Sequence, residues 1–330
     1  MRRVCLIYRR DADTPSIERV FSVLSNEIEK EGIDVLHTRL PFGNGPIGII
    51  GNLLFFRPPR ADILHITGHA HYIALRLPAN KTVLTVHDLG ILRTKAGLRL
   101  KLIKKLFFDW PFKRVQYLTS VSEATKLDMI GATGCEPEKI TVIEDPVDPI
   151  MESADKRFNT VKPAVLQIGT APHKNLERLI TAVKGLQCRL IVVGNVTAIQ
   201  LEQIEASCVE YELLIAKTDE EMREVYGRCD IVAFCSTFEG FGLPIIEAQS
   251  MGIPLITSNL PPMNDIAGPG ALKVDPFDVE QIRSAIETMI SDSTLRENLI
   301  AEGKKNVARF NSTKIARDYV RLYDRIGVNT

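Results

Sequence analysis

At 330 residues the chain is longer than one hydrophobic core ordinarily serves, so two domains are expected. With 45% hydrophobic and 25% charged residues, the composition excludes a disordered chain. The formal charge is zero, with Lys and Arg exceeding Asp and Glu by 21 to 17 up to residue 150 and falling short by 20 to 24 beyond it, which argues against a generic nucleic-acid binder.

Apolar, β-rich runs recur in chain order at Val4–Tyr8, Asp62–Thr67, Val83–His87, Tyr117–Val121 and Ile140–Ile143. Stretches of helical period such as Ser16–Lys30 and Ser122–Met129 separate them. That alternation predicts a parallel sheet covered by helices on both faces. The first run stops at Arg9-Arg10 and is too short for a signal-peptide core or a membrane span. Proline and polar residues from Asp145-Pro-Val-Asp-Pro149 to Lys162-Pro163 break the periodicity. A second series follows at Ala164–Gly169, Leu190–Gly194, Asp230–Cys235 and Pro254–Thr257, and beyond Asp278 the pattern is helical.

The expected α/β architecture is therefore two doubly wound, Rossmann-like domains, 1–150 and 163–330, joined by a hinge at 151–162. The last helix is a candidate for packing back on the first domain. Ligands of such sheets bind at the carboxyl ends of the strands, so a cleft faced by both domains is the expected active site.

Cys5, Cys135, Cys188, Cys208, Cys229 and Cys235 form no C-x-x-C pair and have no histidines at zinc-ligand spacing, so no metal is expected and a reducing, cytoplasmic compartment fits best. Asp11-Ala-Asp13 mimics a D-x-D metal motif but follows the first strand, and it is discounted. His65, His69 and His71 lack supporting carboxylates or cysteines and read as loop residues.

The richest segment is Glu239-Gly-Phe-Gly-Leu-Pro-Ile-Ile-Glu247, which leaves a buried strand through glycines and enters a helix near Pro244. Proline suits a first helical turn because its missing N–H is unpaired there anyway. Gly240 and Gly242 allow close approach of a ligand to the backbone, and first-turn N–H groups attract an anion. Glu239 and Glu247 are acceptors for sugar hydroxyls. His87 ends an apolar strand, where doubly wound sheets carry functional groups. Between Arg93 and Arg114 eight basic residues face one acid, interleaved with leucines, phenylalanines and Trp110, a pattern that suits either an anionic membrane surface or a packed helix with a solvated basic face.

The pattern E-G-F-G-L-P-x-x-E-A-x-x-x-G-x-P, Glu239 to Pro254, resembles the retaining glycosyltransferases of family 4, the group 1, mannosyltransferase-like enzymes of GT-B fold. Further matching segments are Gln167–Glu177, Thr218–Tyr226 and Asn259–Asp265, so the resemblance covers most of 163–330. It implies that Glu239 contacts the transferred sugar and Glu247 the nucleotide ribose. The backbone of Gly240, Phe241, Gly242 and Leu243 would hold sugar and diphosphate. Gly169 and Thr170 would lie against the donor, Lys174 would neutralise the leaving diphosphate, and His87 would sit near the sugar. Two departures stand out. Thr170 replaces an arginine common in the family, and Arg9–Ser16 replaces a glycine pair that serves acceptor approach.

The implied reaction transfers a hexose, with retention and without metal or cofactor, from a nucleoside diphosphate sugar to a glycan or lipid-linked acceptor. It would belong to cell-surface polysaccharide, lipopolysaccharide or glycolipid synthesis, in the cytoplasm or on the inner face of the membrane through 93–114. A sugar-nucleotide epimerase or hydrolase, or a non-catalytic binding subunit, would fit the same architecture.

Overall fold

The computed structural model describes residues 1–10, 15–94, 97–152, 157–216 and 218–328. The Asp11-Ala-Asp13 motif, most of the loop around it, and the middle of the expected hinge lie outside the described residues. The chain divides into two compact units, Met1–Pro146 with Asn311–Thr330, and Val147–Phe310.

In the first unit the strands are β1 (Arg3–Tyr8), β2 (Asp34–Arg39), β3 (Ile63–Ile66), β4 (Thr82–Val86), β5 (Tyr117–Ser120) and β6 (Ile140–Val142). They pair in the order β2-β1-β3-β4-β5-β6, all parallel. Ile7, Leu64, Leu84 and Leu118 are buried in a core that helices cover, as a parallel sheet requires. Helix α1 (Pro15–Lys30) packs against the helix Ser312–Val328, so the last helix belongs to this unit. Their rims are joined by Arg317 Nε to Glu31 at 2.8 Å and by Thr313 Oγ1 to Glu27 at 2.7 Å. Helix α2 (Pro46–Phe55) holds Asn52 in the interior, where its amide donates to Tyr72 Oη at 2.8 Å.

Two histidines expected in loops prove to be core residues. His65 lies within β3 and is fully buried, with Nδ1 2.7 Å from Tyr323 Oη and Nε2 2.7 Å from Thr85 Oγ1. A hydroxyl on each ring nitrogen satisfies the imidazole, which is why a strand interior tolerates it. His71 opens a short turn, His71–Leu75, and its Nδ1 lies 3.0 Å from the Phe107 carbonyl. Burial pulls both imidazoles down to about 3, so they are neutral.

The second unit contains β7 (Ala164–Ile168), β8 (Arg189–Val193), β9 (Glu210–Leu214), β10 (Ile231–Phe234), β11 (Leu255–Ser258) and β12 (Leu272–Val274). Their order is β12-β11-β10-β7-β8-β9, again all parallel. Helix starts are set by capping side chains. Thr218 and Glu221 form a reciprocal box at the helix Asp219–Arg228, and Asp278 caps Val279–Ser291. Asp230, just before β10, accepts from the backbone N–H of Asn159 and of Ala164, which fixes the entry to β7.

β2, β9 and β12 are absent from the apolar runs read in the sequence. Each lies at the edge of its sheet, where one side of the strand faces solvent and polar residues such as those of Glu210-Tyr-Glu-Leu-Leu214 are accommodated.

Candidate active site

The strand order of the second unit reverses direction between β7 and β10. The loops leaving neighbouring strands diverge at such a switch point, which opens a crevice at their carboxyl ends. Those two loops are 169–175, after β7, and 235–242, after β10.

Backbone and amide hydrogen bonds lock them together. The His173 carbonyl accepts from Thr237 N at 2.8 Å. Asn175, at φ 63°, is buried and donates through its amide to the carbonyls of Cys235 and Pro276 at 2.9 and 2.7 Å. From β7, the Gln167 amide donates to the carbonyls of Gly169 and Lys174 at 3.0 and 2.9 Å.

This scaffold aims Lys174 at Glu239. Its Nζ lies 2.6 Å from Glu239 Oε1 and 5.0 Å from the centre of the Phe234 ring, with side-chain exposures of 20% for the lysine and 12% for the glutamate. Gly169 sits at φ 86°, and a Cβ there would come within 3.0 Å of Lys174 Cγ, so the glycine leaves room for the lysine stem. A half-buried pair of this kind holds a cation in place, and an arriving anion can take over the ammonium from the carboxylate.

Gly242, at φ 107°, is the N-cap of the helix Leu243–Ser250, with Pro244 in its first turn. A Cβ on Gly242 would stand 3.0 Å from Ile245 Cδ1, in a backbone conformation that L side chains rarely adopt. The Phe241 ring is buried, edge-on to Phe310 at 5.7 Å, so it is the backbone of this residue that remains for a ligand. Leu243 and Gly240 are half-buried beside it.

Glu247 has a partner that sequence reasoning missed. It is buried, and Tyr226 Oη, itself fully buried at the end of the helix Asp219–Arg228, donates to its Oε2 at 2.7 Å. Tyr226 closes the segment Thr218–Tyr226, which matched the family pattern, yet nothing in one sequence shows that its hydroxyl reaches a carboxylate 21 positions on. A cavity of about 250 Å³ at the opposite, amino ends of β10 and β11 is lined by Asp230, Gly252 and Arg296; it shares Tyr226 but none of the predicted site residues.

Thr170 stands apart from the pair. Its hydroxyl donates to the Asn195 carbonyl at 2.6 Å and its own carbonyl accepts from Gln200 at 2.9 Å, so the side chain braces the loop after β8. The structure thus brings Gly169, Lys174 and Glu239 together, sets Glu247 against Tyr226, and turns the Thr170 hydroxyl to a neighbouring loop.

In the first unit, His87 follows β4, with Nε2 2.8 Å from the Thr67 carbonyl and Nδ1 3.8 Å from Asp145 Oδ2. Burial lowers its proton affinity, but the Asp145 carboxylate and the Thr67 carbonyl outweigh it, and the imidazole is raised above its ordinary value. Gly68 makes room for the ring, since a Cβ there would lie 2.8 Å from His87 Cδ2.

Two doubly wound units of this topology define the GT-B glycosyltransferase fold. Solved structures agree with it. Sucrose-phosphate synthase from Thermosynechococcus elongatus superposes with a TM-score of 0.79 at 15% identity, covering both chains fully, and Anabaena HepE in complex with UDP and glucose with 0.77 at 16%, covering 98% of this chain and 100% of that one. The family profile Glycosyltransferase Family 4 matches residues 51–150, and Glycosyl transferases group 1 matches 151–306. The chain belongs to the group 1 glycosyltransferases of family 4. Among curated proteins it is 25% identical to the serotype-specific mannosyltransferase WbdA of Escherichia coli over 80% of this chain, and 26% identical to the O-antigen chain mannosyltransferase RfbU of Salmonella typhimurium over 75%. The matched region is 37% of WbdA and 68% of RfbU, so the chain spans little more than a third of the longer relative.

Proposed function

We propose that the protein transfers a hexose from a nucleoside diphosphate sugar to an acceptor hydroxyl, with retention of anomeric configuration and without a metal or cofactor, in the synthesis of a cell-surface polysaccharide or glycolipid. The observation that carries this reading is the Lys174–Glu239 pair at the switch point of the second sheet, beside a helix opened by Gly242. The mannosyltransferase names of the sequence relatives and the UDP and glucose bound by HepE support the class of donor and product.

The roles follow from charge. As the glycosidic bond breaks, negative charge grows on the β-phosphate. A preplaced ammonium in a dry setting stabilises that charge more than it stabilises the bound donor, which lowers the barrier. Lys174 is assigned this work, with backbone N–H groups at Gly242 and Leu243. When the diphosphate takes over the ammonium, Glu239 is released to accept a sugar hydroxyl. Glu247, oriented by Tyr226, takes the ribose hydroxyls. His87 is assigned to a substrate hydroxyl, for which it must give up either Thr67 or Asp145. Residues 93–114 are read as a basic surface for an anionic membrane.

A thermal-shift panel of nucleoside diphosphates and their sugars tests the donor reading, because a ligand that binds only the native state raises the melting temperature. One nucleotide class is expected to stabilise the protein in EDTA as well as without it. No shift with any member of the panel overturns the assignment. NMR of the product anomer tests retention, and an inverted product removes that part.

A further inference from the structure

Helix α2 is apolar on both sides. Ile49 and Leu53 pack on the core beside the buried Asn52, whereas Ile47, Ile50 and Leu54, at i, i+3 and i+7, share the opposite face and are 87%, 58% and 55% exposed. A helix hydrophobic all round is normally covered on all sides, and among the described residues nothing covers this stripe. The helix Gly97–Lys104 has no buried residue at all and leaves Leu98 and Leu102 83% and 60% exposed. Tyr72 links α2 to the turn that follows this second helix, since it bonds Asn52 and packs its ring 5.2 Å from Phe107.

The charge around these leucines and isoleucines is one-sided. Residues 40–60 contain Arg57 and Arg60 and no acid, and 93–114 contain eight basic residues and one acid. Arg93 and Lys104 pair with Asp128 and Asp109, and Arg114 donates to the carbonyls of Ala74 and Leu77. Arg99, Lys101, Lys105 and Lys113 have no carboxylate partner among the described residues. A second copy of this face would oppose basic groups with basic groups. A bilayer carrying anionic headgroups satisfies both halves of the surface, since phosphates take the free cations and acyl chains take the apolar stripe.

We propose that the outer face of α2 inserts into an anionic lipid surface, with Ile47, Ile50 and Leu54 as the apolar anchor for the cations of 93–114. The inference rests on the membrane reading of 93–114 and assigns its hydrophobic half to a different segment.

Trp110 is the chain's single tryptophan, 47% exposed within that basic segment, so its fluorescence reports on this surface alone. The wild-type protein is titrated with vesicles of equal parts phosphatidylglycerol and phosphatidylcholine, and with phosphatidylcholine alone. A blue shift, quenched by bromine on the acyl chains, is expected with the first and not the second, and Ile47→Ser and Ile50→Ser each lower the partition coefficient roughly tenfold at an unchanged melting temperature. Arg99→Glu with Lys101→Glu lowers it too, and this variant tests the basic half. If the triple variant with Ile47, Ile50 and Leu54 all changed to Ser titrates as wild type while the charge variant does not, the α2 anchor is overturned and the basic surface stands. If wild type gives no shift with either vesicle, both fall. If the serine variants instead abolish a dimer seen in sedimentation, a second copy covers the face and the proposal is overturned.

Discussion

The two units share one kind of sheet and furnish the carboxyl ends of their strands differently. In the second unit these ends carry glycines at positive φ, a lysine and two glutamates, held half-exposed or in direct pairs. The first unit holds five of the chain's six histidines, with His65 and His71 neutral in its core and His87, just after β4, between a carbonyl and a carboxylate. Two parallel sheets of different strand order thus lead in one case to a lysine–glutamate pair and in the other to histidines held by carbonyls and a carboxylate. The side chains of the loops, beyond the difference in sheet order, distinguish the two units.

The contrast breaks most visibly at Lys174. Lys174→Ala is expected to lower turnover about a hundred- to a thousandfold, the usual cost of deleting a preplaced charge-stabilising group, while the circular dichroism spectrum stays as in wild type. A steady-state assay yielding less than a tenfold loss would deny the second unit the charge-handling role proposed for it. Next is acid sensitivity. His65 and His71 are held near 3 when folded and take up a proton near 6.5 when unfolded, so their stabilisation is complete above 6.5 and declines as pH falls below it. Two such groups together remove about 3 kcal/mol per pH unit. Hydrogen exchange between pH 7 and 5 is expected to show this loss in the first unit and not in the second, and equal loss in both would erase the distinction.

Smaller in effect is Tyr226→Phe, which removes the tyrosine hydroxyl that donates to the buried Glu247. Donor KM is expected to rise roughly ten- to a hundredfold, the worth of one hydrogen bond to a charged group, with kcat nearly constant. A fall in kcat at constant KM would give the tyrosine another role. The least effect is expected at His87. Its folded proton affinity is raised, so its contribution is complete below the unfolded value near 6.5 and is lost as pH rises through the higher folded value. Denaturant titrations of His87→Gln are expected to show a flatter decline of stability above pH 6.5, and a slope equal to that of wild type would remove the Asp145 interaction.

How much of this was legible in the sequence depends on where each residue sits. Strands at the middle of a parallel sheet are buried on both faces, so β1, β3 and β4, and likewise β7, β8 and β10, stand out as mainly apolar runs despite His65 in β3 and Gln167 in β7. β2, β9 and β12 border solvent and lose that signal, whereas the edge strand β6 keeps it because Ile140-Thr-Val142 continues into Ile143. Gly242 and Pro244 announced the start of the helix Leu243–Ser250 through backbone rules that act locally. The Lys174–Glu239 contact spans 65 positions, and only the strand order brings the two loops together. His65 read as a loop residue once it lacked carboxylates or cysteines to make it a metal ligand, although it lies in the Asp62–Thr67 run; the hydroxyls that satisfy it come from Thr85 and from Tyr323, 258 positions away.

The packing of Ser312–Val328 on α1 also orders events in time. The second unit is one continuous stretch and is complete once residue 310 has left the ribosome. The first unit, although its sheet is made earlier, must wait for Tyr319 and Tyr323 to reach His65 and close its core. During synthesis the unit whose sheet is made earlier is the later to close, and in that interval the face of α1 that the last helix covers stays open to solvent.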